Sequence, residues 1–397
     1  MDRFFNNAGP TVPADHYCID PLSRVELEEV EALIAQRRYF VLHAPRQTGK
    51  TTCLLELMRH LNEQGRYACV YSNIEAAQVS RNNADNGMAT VCDALSSAIR
   101  LHLKEERPEH WLRSTGPQIE PKNRLERLLQ RWTEVSELPT VLLLDEVDAL
   151  VGDTLIALLR QLRAGYAQRP QAFPQSVVLC GVRDVRDYRI QRSDGEVITG
   201  GSAFNVKAES LRLGNFSEAE VRALWQQHTE ETGQVFDAAI FPELWEDTYG
   251  QPWLVNALGY ELTWRMKPLR ERSRGITLEH YLEARESLIQ SRAVHLDQLS
   301  ARLEEDRVRR VIEPLLETDE ASESLSPLDI DYVLDLGLIR RSGIKELRIA
   351  NRIYQEVVPR ELSLGMQWSM SNQSTAWYVR EDGSLDFPRL LQGFQQF

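Results

Sequence analysis

The residues best placed to do chemistry in this chain are a lysine and a threonine behind a glycine and, much later, two adjacent acids. Lys50 and Thr51 close the run Ala44-Pro45-Arg46-Gln47-Thr48-Gly49-Lys50-Thr51. The run fits the pattern G-x-x-x-x-G-K-[ST] with alanine in the first glycine position. A loop of this kind that opens a helix points backbone N–H groups at an anion, and the helix dipole favours negative charge there. Lys50 can then reach the β- and γ-phosphates of a nucleotide, and the Thr51 hydroxyl can hold Mg²⁺. The candidate nucleotide-binding residues are therefore Ala44, Pro45, Arg46, Gln47, Thr48, Gly49, Lys50, Thr51 and Thr52. If the first position needs positive φ, alanine is strained where glycine is not, so a slightly different loop path is expected.

The acids are Asp145 and Glu146, after the apolar run Thr140-Val-Leu-Leu-Leu144. Asp145, at the carboxyl end of a strand, is expected to organise Mg²⁺ opposite Thr51. Glu146, one residue on, is expected to polarise a water for in-line attack on the γ-phosphate. Two acids after a strand also describe a solvated helix start; the phosphate loop favours the chemical reading. Asp148 reads as a helix-start residue. Strand four ends in Cys180-Gly-Val-Arg183-Asp184, and the carboxyl ends of parallel strands line the ligand crevice. Arg183 is thus a candidate γ-phosphate contact, the alternative being a surface arginine paired with Asp184 or Asp187. Arg186 and Arg189 are poorer candidates, and any of the three could act across a subunit boundary.

Alternating strands and helices must position these groups. A helix is expected over Val25 to Gln36, then a strand over Tyr39 to Leu42 that enters the loop. The helix after the loop carries Cys53, Leu54, Leu57, Met58 and Leu61 on one face. Further strands are expected at Tyr67 to Ser72, Thr140 to Leu144 and Ser176 to Cys180, with a weaker one at Leu211 to Leu213. A mostly helical stretch fills Asn83 to Ser136, broken at Ser114 to Pro121, and another helix runs from Thr154 to Ala167. The pattern is an α/β fold with a parallel sheet and helices on both faces. From Ser217 to about Ser300 the chain reads as helices. Asp329 to Leu362 reads as a helix ending at Leu336-Gly337, a short strand pair around Ile339 and Leu347 to Ala350, and a last helix, which suits a winged helix.

With 397 residues, more than one core is expected. No apolar run approaches the length needed to span a membrane, and the first residues lack a signal-peptide pattern. Cys18, Cys53, Cys69, Cys92 and Cys180 are scattered and fit free thiols in a reducing compartment, so a cytoplasmic protein is expected. The histidines form no metal-site pattern. A formal charge of −13 weakens any reading as an extended nucleic-acid binder.

Taken together, the Pro-Arg-Gln-Thr-Gly-Lys loop, Asp145-Glu146, Arg183 and Gly250-Gln251-Pro252 resemble STAND-type and archaeal-ATPase-like P-loop proteins, relatives of the AAA+ ATPases. The resemblance extends from about His16 to the end. It implies a P-loop NTPase sheet of order 5-1-4-3-2, a helical lid and a winged-helix domain. The corresponding boundaries are a lead-in at 1–24, a core at 25–215, a lid at 216–300, a winged helix at 301–365 and an extension at 366–397. It also implies Arg183 as the γ-phosphate sensor, Pro252 on the base or ribose, and Tyr17 to Pro21 as a lip over the adenine. No winged-helix histidine of the kind that grips ADP is found; Asn351 stands near that place. Similar proteins can continue into a nuclease-like domain, and no such catalytic set is visible here.

The resemblance implies ATP and Mg²⁺ as cofactors and an ATPase that acts as a nucleotide-dependent switch. Its partner would be a protein or a C-terminal effector domain, and an oligomer is compatible. A DNA-engaging initiator-like ATPase is a second reading, with Arg340, Arg341, Lys345, Arg348 and Arg352 near the wing. Asp329, Asp331, Asp335, Glu346 and Glu356 offset them, which favours a solvated mixed face. A nucleotide-binding scaffold with little turnover is the third.

Overall fold

A computed structural model describes residues 2–184, 189–191, 197–291, 302–317, 325–343, 346–371 and 386–388. Helix α1 (Leu27–Ala35) leads into β1 (Tyr39–His43), and the phosphate loop opens α2 (Lys50–Glu63). Next come β2 (Ala68–Asn73), α3 (Ala84–Leu103), α4 (Arg107–Ser114) and α5 (Pro121–Val135). They are followed by β3 (Thr140–Asp145), α6 (Gly152–Ala164) and β4 (Ser176–Gly181). The short strands β5 (Arg189–Gln191) and β6 (Val197–Thr199) pair antiparallel and precede the single-turn α7 (Gly200–Ala203) and β7 (Lys207–Arg212).

The main sheet has order β2-β3-β4-β1-β7 with every pair parallel. This is the expected order, since β7 takes the place of the fifth strand. Alternation along β3 explains the two-faced burial. Leu142 and Leu144 enter a core shared with α3, α5 and α6, whereas Val141 and Leu143 face Leu54, Leu57 and Leu61 of α2. Strand β7 starts earlier than Leu211, at Lys207, by pairing with β1; among the described residues it is an edge strand, and Lys207-Ala-Glu-Ser has no apolar run to mark it.

A third core lies among the helices that follow β7. It gathers α8 (Glu218–Thr232), α9 (Ile240–Thr248), α10 (Pro252–Tyr260) and α11 (Leu278–Gln290). The same core continues into α12 (Asp306–Glu317) and α13 (Pro327–Asp335). The hairpin β8 (Ile339–Arg341) and β9 (Leu347–Ile349) and α14 (Arg352–Ser371) complete it. The lead-in is not a loose arm: Phe5 and Tyr17 are fully buried in this core, with the Phe5 ring 4.9 Å from Tyr17 and 5.8 Å from Trp225. The Thr11 amide also donates to the Thr52 hydroxyl at 3.1 Å, so the lead-in ties the helical region to the first turn of α2. Among the described residues, no helix is long and apolar enough to cross a membrane.

Candidate active site

The phosphate loop leaves β1 at the carboxyl edge of the sheet and is fixed at both ends. Ala44 is fully buried, and its amide donates to the Gly181 carbonyl of β4 at 3.2 Å. Positive φ falls at Gln47 and Gly49, not at Ala44. Alanine therefore carries no strain in the first position, and the expected detour for its sake is not needed. Gly49 caps α2, so the first N–H groups of that helix face the loop's hollow. Inside the loop the Thr48 hydroxyl donates to the Pro45 carbonyl at 2.8 Å. The Lys50 ammonium donates to the carbonyls of Ala44 and Pro45 at 2.9 and 3.0 Å.

Strand β3 brings the acids to the same place. The Thr51 hydroxyl donates to the Asp145 carboxylate at 2.7 Å, and Tyr71 on β2 donates to the same oxygen at 3.1 Å. The other oxygen of Asp145 accepts the Glu146 amide at 2.9 Å, and the carboxylate is fully buried. Glu146 sits in the left-handed region at φ 59 and turns the chain out of the strand. Its carboxyl is held above the usual range by burial, then by the charges of Asp148 and Asp145, with Lys50 opposing. A hydroxyl, a carboxylate and room for phosphate oxygens form a hard-oxygen set that fits Mg²⁺, which typically uses one or two carboxylates beside substrate phosphates. Among the described residues there is no cluster of three or more histidine, cysteine or acidic side chains able to hold a metal by itself.

Lys50, Thr51 and Glu146 line a cleft of about 500 Å³, with Asp145 buried behind Thr51. Thr52 and Tyr71 line it beside them. Tyr17, Cys18, Ile19 and Pro21 of the lead-in and Pro252 and Trp253 of α10 also line it. Pro252 stands at the first turn of α10, where its missing N–H costs nothing. Gly250 is required there: a β-carbon would lie 1.9 Å from the Phe216 carbonyl oxygen. The Phe216 amide also donates to the Gly250 carbonyl at 2.9 Å.

Tyr71, Trp253 and Arg24 are parts of the site that the sequence did not single out. Arg24, just before α1, donates to the Thr48 carbonyl at 2.6 Å and to the Gly214 carbonyl, and lies 4.8 Å over the Phe216 ring. Burial lowers its pKa to about 10, so a buried cation props the loop from below. A lone arginine in a polar lead-in carries no spacing signal that could have found it.

Arg183 follows β4 as expected, but its guanidinium lies 4.8 Å over the ring of Tyr332 on α13 and does not line the nucleotide cleft. Around it the end of α13 rests on the sheet's carboxyl edge. Arg212 of β7 donates to the Leu334 carbonyl at 2.9 Å, and His43 of β1 lies 3.8 Å from the Asp335 carboxylate. A β-carbon on Gly337 would come within 2.6 Å of Pro45, which measures how closely this segment meets the phosphate loop. Arg189 begins β5, while Arg186 and Asp187 lie outside the described residues. Asn351 caps α14, accepting the Tyr354 amide at 2.9 Å, and is no part of the nucleotide cleft.

The model of a family described as an AAA-like domain matches residues 21–357. The chain belongs to the AAA-like domain family. Among solved structures it is similar to the Walker-type ATPase PABY2304 of Pyrococcus abyssi, with TM-score 0.57 at 16% identity over 89% of this chain and 99% of that one. Cdc6p from Pyrobaculum aerophilum gives TM-score 0.42 at 14% identity over 86% of this chain and 93% of that one. The Thermotoga maritima RuvB Holliday junction branch migration motor gives 0.40 at 12%, over 84% and 95%. No curated protein matches the sequence. This AAA-like chain has the fold of a nucleotide-binding P-loop ATPase.

Proposed function

We propose that this AAA-like protein binds and hydrolyses Mg–ATP in the cleft between the phosphate loop and α10, and that the nucleotide state moves the α13–hairpin–α14 segment toward a partner protein or domain. The observation that carries the reading is the Thr51 hydroxyl lying 2.7 Å from the Asp145 carboxylate, with Lys50 and Glu146 in the same cleft. In this reading Lys50 exchanges its two loop carbonyls for phosphate oxygens. Thr51 and Asp145 hold Mg²⁺, which when bound supplies charge neutralisation at the β- and γ-phosphates. Glu146 takes a proton from the attacking water, a role that its raised pKa suits provided the pH keeps it ionised. Pro252 and the Tyr17 lip flank the base and ribose.

The switch reading rests on Arg183. Its guanidinium lies on Tyr332 and outside the cleft, so reaching a γ-phosphate would require it to leave that ring, and ATP and ADP would then bind the two arrangements differently. The segment's helix–hairpin–helix order supports its reading as a winged helix. Its arginines give the DNA-engaging reading little: Arg352 pairs with Asp247 and Glu243, Arg348 with Glu346 and Arg341 with Asp331, while Lys345 lies outside the described residues.

Calorimetric titration with ATP, with and without Mg²⁺, tests the site. Wild type should bind one ATP per chain, more tightly with Mg²⁺, and Lys50→Ala should lose at least about tenfold in affinity, as expected for charge-assisted contacts. Equal affinity in the variant would place the nucleotide elsewhere.

A further inference from the structure

Behind the phosphate loop lies a second cavity of about 680 Å³, which shares only Arg46 and Phe216 with the nucleotide cleft. Its walls come from the outer side of the loop, the exit of β7, the end of α9 and the β8–β9 hairpin. Lys50, Thr51 and Glu146 all face the other cleft, so this cavity has no phosphate-loop chemistry of its own.

Arg46, Arg212, Arg302, Arg340 and Arg341 line it, and no carboxylate does. In a chain of formal charge −13 that is a concentrated positive site. Three of the five are engaged: Arg302 with Glu305 at 2.7 Å, Arg341 with Asp331 at 3.3 Å, and Arg212 with the Leu334 carbonyl. Arg46 and Arg340 have no carboxylate partner among the described residues, and the Nε of Arg340 is buried without a hydrogen bond. Arg340 is held by its face, 3.7 Å over the Tyr249 ring.

Gln251 supplies an independent sign of a ligand. It is only 6% exposed, and its Oε1 accepts the Leu254 amide at 2.6 Å to cap α10. Its Nε2 is left buried with no partner on the cavity wall. Buried donors without acceptors are rare in folded proteins; both nitrogens are shut off from solvent as they stand, so a bound acceptor would engage them by drawing these side chains toward the cavity. The remaining wall is aromatic: Trp245 and Tyr249 pair at 4.9 Å, and Phe216 and Tyr354 face the same space. A cavity in the usual range of about 300–1,000 Å³ for small-molecule sites, apolar with a few convergent donors, suits a ligand larger than an inorganic ion.

We propose that this cavity binds a small planar aromatic anion, its negative group held by Arg340 and Gln251 and its ring by the Trp245 and Tyr249 wall. The site would lie between the phosphate loop and the β8–β9 hairpin, and it does not depend on the nucleotide reading.

Fluorescence titration of the full chain with anilinonaphthalene sulfonate, a planar aromatic anion, tests this with and without saturating Mg–ATP. One saturable site per chain is expected, retained in Mg–ATP. Arg340→Gln should weaken it about tenfold and Gln251→Leu several-fold. Ala350→Trp, which fills the cavity, should abolish it. The uncharged phenylnaphthylamine should bind wild type at least about tenfold more weakly and be indifferent to Arg340→Gln. Melting curves show which variants fold, and any one folded variant decides. Unchanged affinity in a folded variant, equal binding of the uncharged probe, or displacement by Mg–ATP would overturn the proposal. If ATP fails to bind but the variants behave as expected, only the nucleotide reading falls.

Discussion

Gly250→Ala is the substitution whose cost the structure specifies best. Gly250 has φ +70, and an alanine held there pays about 1–2 kcal/mol for the left-handed conformation. The added carbon would sit 1.9 Å from the Phe216 oxygen and 3.2 Å from the Trp245 ring, so the backbone must move. Overpacking of that kind costs about 1–3 kcal/mol. The Phe216 amide then loses its bond to the Gly250 carbonyl, worth about 1 kcal/mol. The total is about 4 kcal/mol. Gly233→Ala is the control, because Gly233 has φ +76 but nothing within 4 Å of an added carbon. It should cost only about 1–2 kcal/mol. Urea unfolding followed by tryptophan fluorescence measures both, since Trp225 and Trp245 belong to the core in question. The displaced Phe216 also lines the nucleotide cleft and lies under Arg24, so ATP affinity should fall in Gly250→Ala alone. Equal destabilisation of the two variants would refute the argument from close approach.

Further expectations follow from single residues. Asp145→Asn should abolish the gain in ATP affinity on adding Mg²⁺, read by calorimetry, because the metal's proposed carboxylate is gone. Glu146 has a folded pKa above its unfolded value, so the folded state binds more protons between the two values and stability falls as pH rises through that window. Glu146→Gln should therefore match wild type in melting temperature at low pH and exceed it at neutral pH; thermal melts across pH check this. Tyr332→Leu removes the ring under Arg183 and the hydrogen bond to Glu305 at 2.6 Å. Basal phosphate release should rise several-fold if α13 restrains Arg183, and an unchanged rate would show that it does not.

The parts of the site built by local pattern were legible in the sequence. An apolar strand running into a glycine, a lysine and a threonine can form little else, and β3 announces its buried position by five apolar or small residues before Asp145. The sheet order followed from the resemblance rather than from the residues. What the sequence hid depends on contacts between distant segments. Nothing in Lys207-Ala-Glu-Ser marks an edge strand, and nothing in Ser23-Arg24 says that its cation will hold the Thr48 carbonyl. Two aromatic residues of the lead-in fill a core made by helices far along the chain, which no local pattern announces. Arg183 was legible from its position just after β4, but its partner, Tyr332, comes from α13 and could be known only from the packing.

The central claim is that Glu146 activates water for ATP hydrolysis in this cleft. Phosphate release at saturating Mg–ATP, compared between wild type and Glu146→Gln, tests it most directly. Equal ATP affinity and a rate at least about a hundredfold lower are expected in the variant, the usual worth of a positioned general base. A variant that hydrolyses ATP as fast as wild type while binding it equally well would contradict it.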